Sequence, residues 1–279
     1  MFSLAEIRYV RYTRLNQRED LDKAIIHFAE SILLSPLSWL QHGPIILYTL
    51  SLLADTLSLR STVSKQPEDV ICATEYLSHL RDQPHELFVI PHHKVTTSLV
   101  NTLALQVELE AGNVMRNIRE MAVLSRELLE TSDVDAAHFI TIIRAVVTSK
   151  IHPGIPGQPL DELIEFLRVA RKRRPDLLEG HMTFAICLVY RYIMTFQHND
   201  YEEAASILDD IIANSSPENS QDQSIALTRA FATGLVTVLA MMRSNTFQTP
   251  ENVEEAIFRT RTCVSSALIF CQRTLAHVR

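Results

Sequence analysis

His92 and His93, directly after Pro91, are the most conspicuous polar pair in this chain of 279 residues. A zinc site needs three or four ligands converging from defined spacings. Adjacent residues at a helix start point in divergent directions, and no sequence-local carboxylate or thiol completes a set, so the pair reads as a loop or capping element. The cysteines Cys72, Cys187, Cys263 and Cys271 lack both the paired spacings of a zinc site and the density of a disulfide scaffold. They are expected to be small buried hydrophobes in a reducing compartment. The HExxH, Gly-x-Ser-x-Gly and phosphate-loop patterns are absent.

Clustered aspartates could hold magnesium against a diphosphate, as all-helical isoprenoid-type enzymes do. Asp209 and Asp210 are followed by Ile211, Ile212 and Ala213, without a further acid at the fifth position, and Asn199-Asp200 has Glu203 where a hydroxyl residue is needed. Both clusters read better as solvated helix faces and a helix start, where negative charge complements the macrodipole. The isoprenoid-type enzyme stays a remote alternative, and no catalytic residue, metal ligand or cofactor is expected. The one basic cluster is Arg168, Arg171, Lys172, Arg173 and Arg174. It reads as cations at a helix C-terminus more readily than as a nuclear-import signal, because the helix must stop at Pro175.

The elements that carry these residues are amphipathic helices. Four core-type positions at offsets of three, seven and ten recur in six segments: Leu21, Ala24, Phe28, Ser31; Val70, Ala73, Leu77, Leu80; Ile118, Met121, Ser125, Leu128; Leu160, Leu163, Leu167, Ala170; Tyr201, Ala204, Leu208, Ile211; and Val253, Ala256, Thr260, Cys263. These offsets lie on one helical stripe. A stripe that cannot be buried alone must stack on neighbours, which predicts a helical-repeat solenoid. An apolar-periodic segment precedes each stripe, giving about six helix pairs, and a short C-terminal helix is expected at 267–276. Asp20, Asp69 and Asp200 are placed to accept early backbone N–H bonds, and Pro67, Pro159 and Pro250 fall near first-turn positions. Gly234, inside an apolar helix, is expected to admit a closely packed neighbour.

Composition agrees: 47% of residues are hydrophobic, and the formal net charge of −7 argues against a general nucleic-acid binder. The segments Pro44 to Leu59 and Ile225 to Met242 superficially suggest membrane spans, but Asp55 interrupts the first and Arg229 the second. Both fall short of the roughly 20 apolar residues a span needs, and both are expected to be central helices buried on several sides. The first residues lack a signal peptide's uninterrupted apolar stretch, so a cytoplasmic location is expected, or a nuclear one. One domain over 1–279 is expected, with a sub-array break at the proline- and glycine-rich stretch 151–159.

The second helices resemble tetratricopeptide repeats. Ala24, Phe28, Ser31 and Pro36 match that pattern's offsets, as do Leu163, Leu167, Ala170 and Pro175 with a larger first residue. Successive repeats lie 41 to 52 residues apart, against about 34 in the standard form, and the Trp-x-x-Leu-Gly-x-x-Tyr signature is missing. Arg11-Tyr12-Thr13-Arg14-Leu15 leading into Glu19 to Ile25, and the run Leu103 to Asn113, resemble the arrays of fungal CHAT-domain proteins. In that family such an array precedes a caspase-like peptidase, whose histidine and cysteine elements have no match here.

The resemblance implies an all-α, right-handed tetratricopeptide-like solenoid whose first helices line a concave face. Their polar residues Arg8, Arg11, Asn101, Gln106, Arg144, Arg191 and Arg229 are the expected contacts for a protein or peptide partner. The expected function is a non-enzymatic scaffold, with neither nucleic acid nor membrane as partner. The alternative is a sensor region regulating an adjoining peptidase domain in a longer chain.

Overall fold

A computed structural model describes residues 2–35, 43–84, 90–131, 135–148, 158–214 and 223–277. Twelve helices and no strand are found among them: α1 (Phe2–Leu15), α2 (Arg18–Leu33), α3 (Pro44–Ser64), α4 (Pro67–Arg81), α5 (His92–Glu108), α6 (Val114–Thr131), α7 (Ala136–Thr148), α8 (Gln158–Arg173), α9 (Leu178–Thr195), α10 (His198–Asn214), α11 (Gln223–Phe247) and α12 (Pro250–His277). The chain divides into two compact units, Met1–Ile151 with α1 to α7 and His152–Arg279 with α8 to α12. Within each unit neighbouring helices pack in chain order, except that α7 lies more against α5 than against α6. Residues 36–42 (with Trp39), 85–89 and 215–222, and most of the 151–159 stretch, lie outside the described residues.

Why helices form here follows from the stripes. The first five anchor sets are buried almost throughout, from Leu21, Ala24 and Phe28 in α2 to Tyr201, Ala204, Leu208 and Ile211 in α10; only Ser31 is half-exposed. Full burial of each leucine is worth about 1.5 to 3 kcal/mol. The sixth set departs from expectation. Ala256 is buried, but Val253 is 41% exposed and Thr260 is also exposed, because α12 packs mainly on α11 and so covers only part of its stripe. Nor is there a separate helix at 267–276: α12 runs unbroken to His277, since no glycine or proline interrupts 251–277.

Where the described residues continue past a helix, the odd helices end differently from the even ones. Asn16, Lys65, Phe196 and Gln248 adopt positive φ after α1, α3, α9 and α11, and Glu110 and Gly112 do so after α5. The first three of these turns share one arrangement. An arginine five residues before the left-handed residue reaches an aspartate four residues after it, in the first turn of the next helix. Arg11 Nε donates to Asp20 at 2.5 Å, Arg60 Nε and Nη2 to Asp69 at 2.7 Å, and Arg191 Nε and Nη2 to Asp200 at 2.9 and 2.7 Å. The aspartates therefore do not act as N-caps. Gln17 and Gln66 occupy the cap positions of α2 and α4 and make no side-chain cap bond, while capping side chains occur instead at Asn113, Asp135 and Thr249.

Each bridging residue from α3 onward also reaches the preceding even helix of its unit. Arg60 Nη1 donates to Asp22 of α2 at 3.2 Å, and Arg191 Nη1 to Asp161 of α8 at 2.6 Å. Asp22 and Asp161 follow the anchors Leu21 and Leu160 directly, so the two bridges are equivalent. In α5 the task passes to amides: Gln106 Nε2 donates to Thr74 Oγ1 of α4 at 2.7 Å, and Asn117 Nδ2 of α6 donates to Gln106 Oε1 at 2.8 Å. In α11, Arg243 lies 4.4 Å from the centre of the Tyr201 ring of α10 and 3.6 Å from Glu255 of α12, while Asn252 holds the aspartate's place. Desolvation opposes the charge on Arg191 but is outweighed by its hydrogen bonds to Asp200 and Asp161, so its pKa is raised.

α3 and α11 differ although both are long and apolar. Thr49, Ser51, Leu53, Ala54, Thr56 and Leu57 of α3 are buried around several sides. By contrast α11 buries Ala232, Val236, Leu239 and Ala240 and exposes Leu227, Phe231, Val238 and Met241, against expectation. Its opposite face has no covering neighbour among the described residues, and no other helix approaches Gly234, where an added Cβ would meet nothing within 4 Å. No helix among the described residues is long and apolar enough to cross a membrane.

Two consequences can be measured. Gly234→Ala is expected to stabilise the chain by about 0.5 to 1 kcal/mol, since it removes helix-breaking entropy without a clash; a lower thermal midpoint would show that the position is crowded. Arg191→Met is expected to cost about 3 kcal/mol in chemical denaturation, because it leaves the buried Asp200 carboxylate, 3% exposed, without its cation. Adding Asp200→Leu is expected to recover most of that loss.

Candidate functional site

Side chains at i, i+3, i+4 and i+7 lie on one face of a helix. In α3 these positions are Asp55, Ser58, Leu59 and Thr62, and in α5 they are Ser98, Asn101, Thr102 and Leu105. With Tyr9 of α1 and Thr141 and Arg144 of α7, they line one groove of about 390 Å³ in the first unit. Nine of its eleven lining residues are of polar type, polar and apolar atoms share its wall about equally, and every contributing helix is odd-numbered. The opposite faces of the same helices fill the core with Leu53, Leu57, Leu99 and Leu103, so core packing fixes which face is presented.

The groove floor is held together locally. The Ser58 and Thr102 hydroxyls are 3.2 Å apart and join α3 to α5. Thr62 Oγ1 donates to the Leu59 carbonyl at 2.7 Å and Thr141 Oγ1 to the Ala137 carbonyl at 3.0 Å. Arg144 at the α7 rim pairs with Glu108 of α5. Burial pushes the Asp55 carboxyl above the usual carboxylate range, opposed by a hydrogen bond from Ser98. Burial and the nearby charge of Asp55 likewise raise the Tyr9 phenol.

Of the seven residues expected to contact a partner, Asn101 and Arg144 come together in this groove. Arg8 and Arg11 converge instead on Asp20, at 2.8 and 2.5 Å. Gln106 is buried rather than exposed, and Arg191 is the bridging residue of α9. Arg229 is half-buried on α11 in the second unit. Sequence reasoning passed over Tyr9, Ser58, Thr62 and Ser98, and noted Asp55 only as an interruption of an apolar run.

Several of the other chemistry-bearing residues have structural partners. His92 Nε2 lies 3.2 Å from the Arg81 carbonyl at the end of α4. Asp209 pairs with Arg259 and Asp210 with Arg171, while Arg168 pairs with Glu203 and Arg174 with Asp176. Two residues of the basic cluster, Arg168 and Arg171, thus link α8 to α10. No group of three His, Cys, Asp or Glu that could hold a metal occurs among the described residues. Cys187 is fully buried, its thiol pushed up to about 12 by burial. Cys72 and Cys263 are only half-buried, and the Cys271 side chain lies outside the described ones.

α7, which brings Thr141 and Arg144 to the groove, is anchored by a buried histidine. His138 lies 2.9 Å through Nε2 from Ser125 Oγ of α6. Burial lowers its pKa from 6.5 to about 4, against the opposing charge of Asp135. A depressed histidine favours folding in its neutral form. The stability it contributes is complete above pH 6.5 and is lost as the pH falls toward 4, by up to about 3 kcal/mol. Lower amide protection factors in α7, corrected for the intrinsic pH dependence of exchange, are therefore expected as the pH falls from 6.5 to 4, and His138→Phe is expected to flatten that dependence; an unchanged slope in the variant would assign the acid sensitivity elsewhere. No protein-family model, curated protein or solved structure matches this chain.

Proposed function

We propose that this chain is a non-enzymatic protein-interaction module, a right-handed tetratricopeptide-like array that takes a peptide or an extended protein segment in the groove of its first unit. The observation that carries this reading is that four odd helices each bring polar side chains to a single groove. Such a surface engages a ligand along a line rather than at a point. Its hydroxyls and the Asn101 amide suit a polypeptide backbone, which offers one donor and one acceptor per residue. The recurrence of the bridge at Arg60, Gln106, Arg191 and Arg243 supports a repeat array, because each links its own pair to the even helix before it.

A phage-displayed library of random dodecapeptides, panned on the purified chain, tests the proposal. Enriched peptides are expected to lose at least about tenfold in affinity on Asn101→Trp, which fills the groove, and to keep their affinity on Glu75→Arg, which alters a separate surface groove between α4 and α6. Failure to enrich any peptide, or loss of binding with Glu75→Arg alone, overturns it.

A further inference from the structure

The acids of this chain repeatedly find cations. Asp20, Asp69 and Asp200 meet the bridging arginines, and Glu127, Glu203, Asp209 and Asp210 meet Arg81, Arg168, Arg259 and Arg171 across successive even helices. Asp55, like Glu6, Glu120 and Glu179 among the other half-exposed acids, makes no such pair. It is only half-exposed and lines the groove midway along α3, and no Lys, Arg or His among the described residues makes an ion pair with it. The nearest basic group of the groove wall, Arg144, comes from α7 and is engaged by Glu108.

A carboxylate withdrawn from water without a cation is poorly stabilised, and a cation delivered to it restores what burial removed. The polar atoms around it suit such a guest. Ammonium and guanidinium groups are donors only, and the groove supplies acceptors: the Asp55 carboxylate, the Ser58, Thr62 and Ser98 oxygens, and the Asn101 side-chain carbonyl. Asn101 stands five residues before Gln106, as Asp55 stands five before Arg60. Successive repeats therefore place one charged and one neutral acceptor group side by side on the groove.

We propose that the ligand of this groove is a peptide segment presenting a lysine or arginine side chain, whose cation pairs with Asp55. The proposal rests on the reading of the groove as a peptide-binding surface. It adds the chemical class of the residue recognised and names Asp55 as the group that selects it. The side chain enters between α3 and α5, while the peptide backbone runs across α5 toward α7.

Two pools of capped heptapeptides test it, each randomised except at the centre, with arginine in one and citrulline, its neutral isostere, in the other. Fluorescence anisotropy on the whole chain is expected to show the arginine pool binding at least about tenfold tighter, and Asp55→Asn is expected to abolish the difference while leaving the helical circular dichroism intact. Equal binding of the two pools to the parent chain overturns the role of Asp55 and leaves the peptide groove standing. Absence of binding by both pools overturns the two together. A second readout does not depend on any variant: the Asp55 carboxyl resonance is expected to titrate at lower pH once the arginine pool is bound, and an unmoved titration refutes the ion pair.

Discussion

One contact recurs at four turns from an odd helix into an even one: a side chain near the end of the first grips a buried polar group at the start of the second. A guanidinium locked on a carboxylate through two nitrogens, as with Arg60 on Asp69 and Arg191 on Asp200, sets both the distance and the roll of the two helices. Because Arg60 and Arg191 also reach Asp22 and Asp161, the same contact sets the even helix before. Hydrophobic stripes supply most of the free energy, but they are non-directional and tolerate sliding. The bridge is what turns a pile of amphipathic helices into one arrangement of them, and the groove on the odd faces exists only because that arrangement is held.

The cost of this device appears in the turns. Lys65 and Phe196 carry side chains at φ 57° and 53°, a region L-residues usually avoid. Each turn is thereby kept tight enough for an arginine nine residues away in sequence to meet its aspartate. After α5 the turn is longer, Gly112 supplies a second positive φ, and the pair has become Gln106 with Asn117. Charge and tight geometry occur together at three turns and neutral amides with a looser turn at a fourth. The interaction at that fourth turn is accordingly insensitive to salt and to carboxylate titration.

Much of the architecture was legible because it is periodic. The offsets that place Val70, Ala73, Leu77 and Leu80 on one stripe depend only on helix geometry, and all four are buried. Pro44, Pro67 and Pro250 open helices as their missing N–H predicts. The bridges escaped notice although Arg11, Arg60 and Arg191 each stand nine residues before an aspartate. That spacing crosses a left-handed turn and belongs to no helical period, and an aspartate in a first turn looks the same whether it caps the helix or accepts an arginine. Gly234 and the stripe of α12 were misjudged for a different reason: sequence shows which face is apolar, but not whether a neighbour is present to cover it. The groove was half-visible. Asn101 and Arg144 stood out as polar residues on first helices, while Asp55, in an apolar run, was weighed only as a reason against a membrane span.

A buried bridge also constrains how such a chain can change over generations. Losing the arginine alone strands a carboxylate, and losing the aspartate alone strands a cation, so single exchanges at these positions are selected against while simultaneous ones are tolerated. Gln106 with Asn117 fills the same role with a neutral pair, and Arg243 beside Asn252 settles its charge on an aromatic face and Glu255. Related sequences are thus expected to carry coupled replacements at these sites, a charged pair exchanged as a whole for a neutral one.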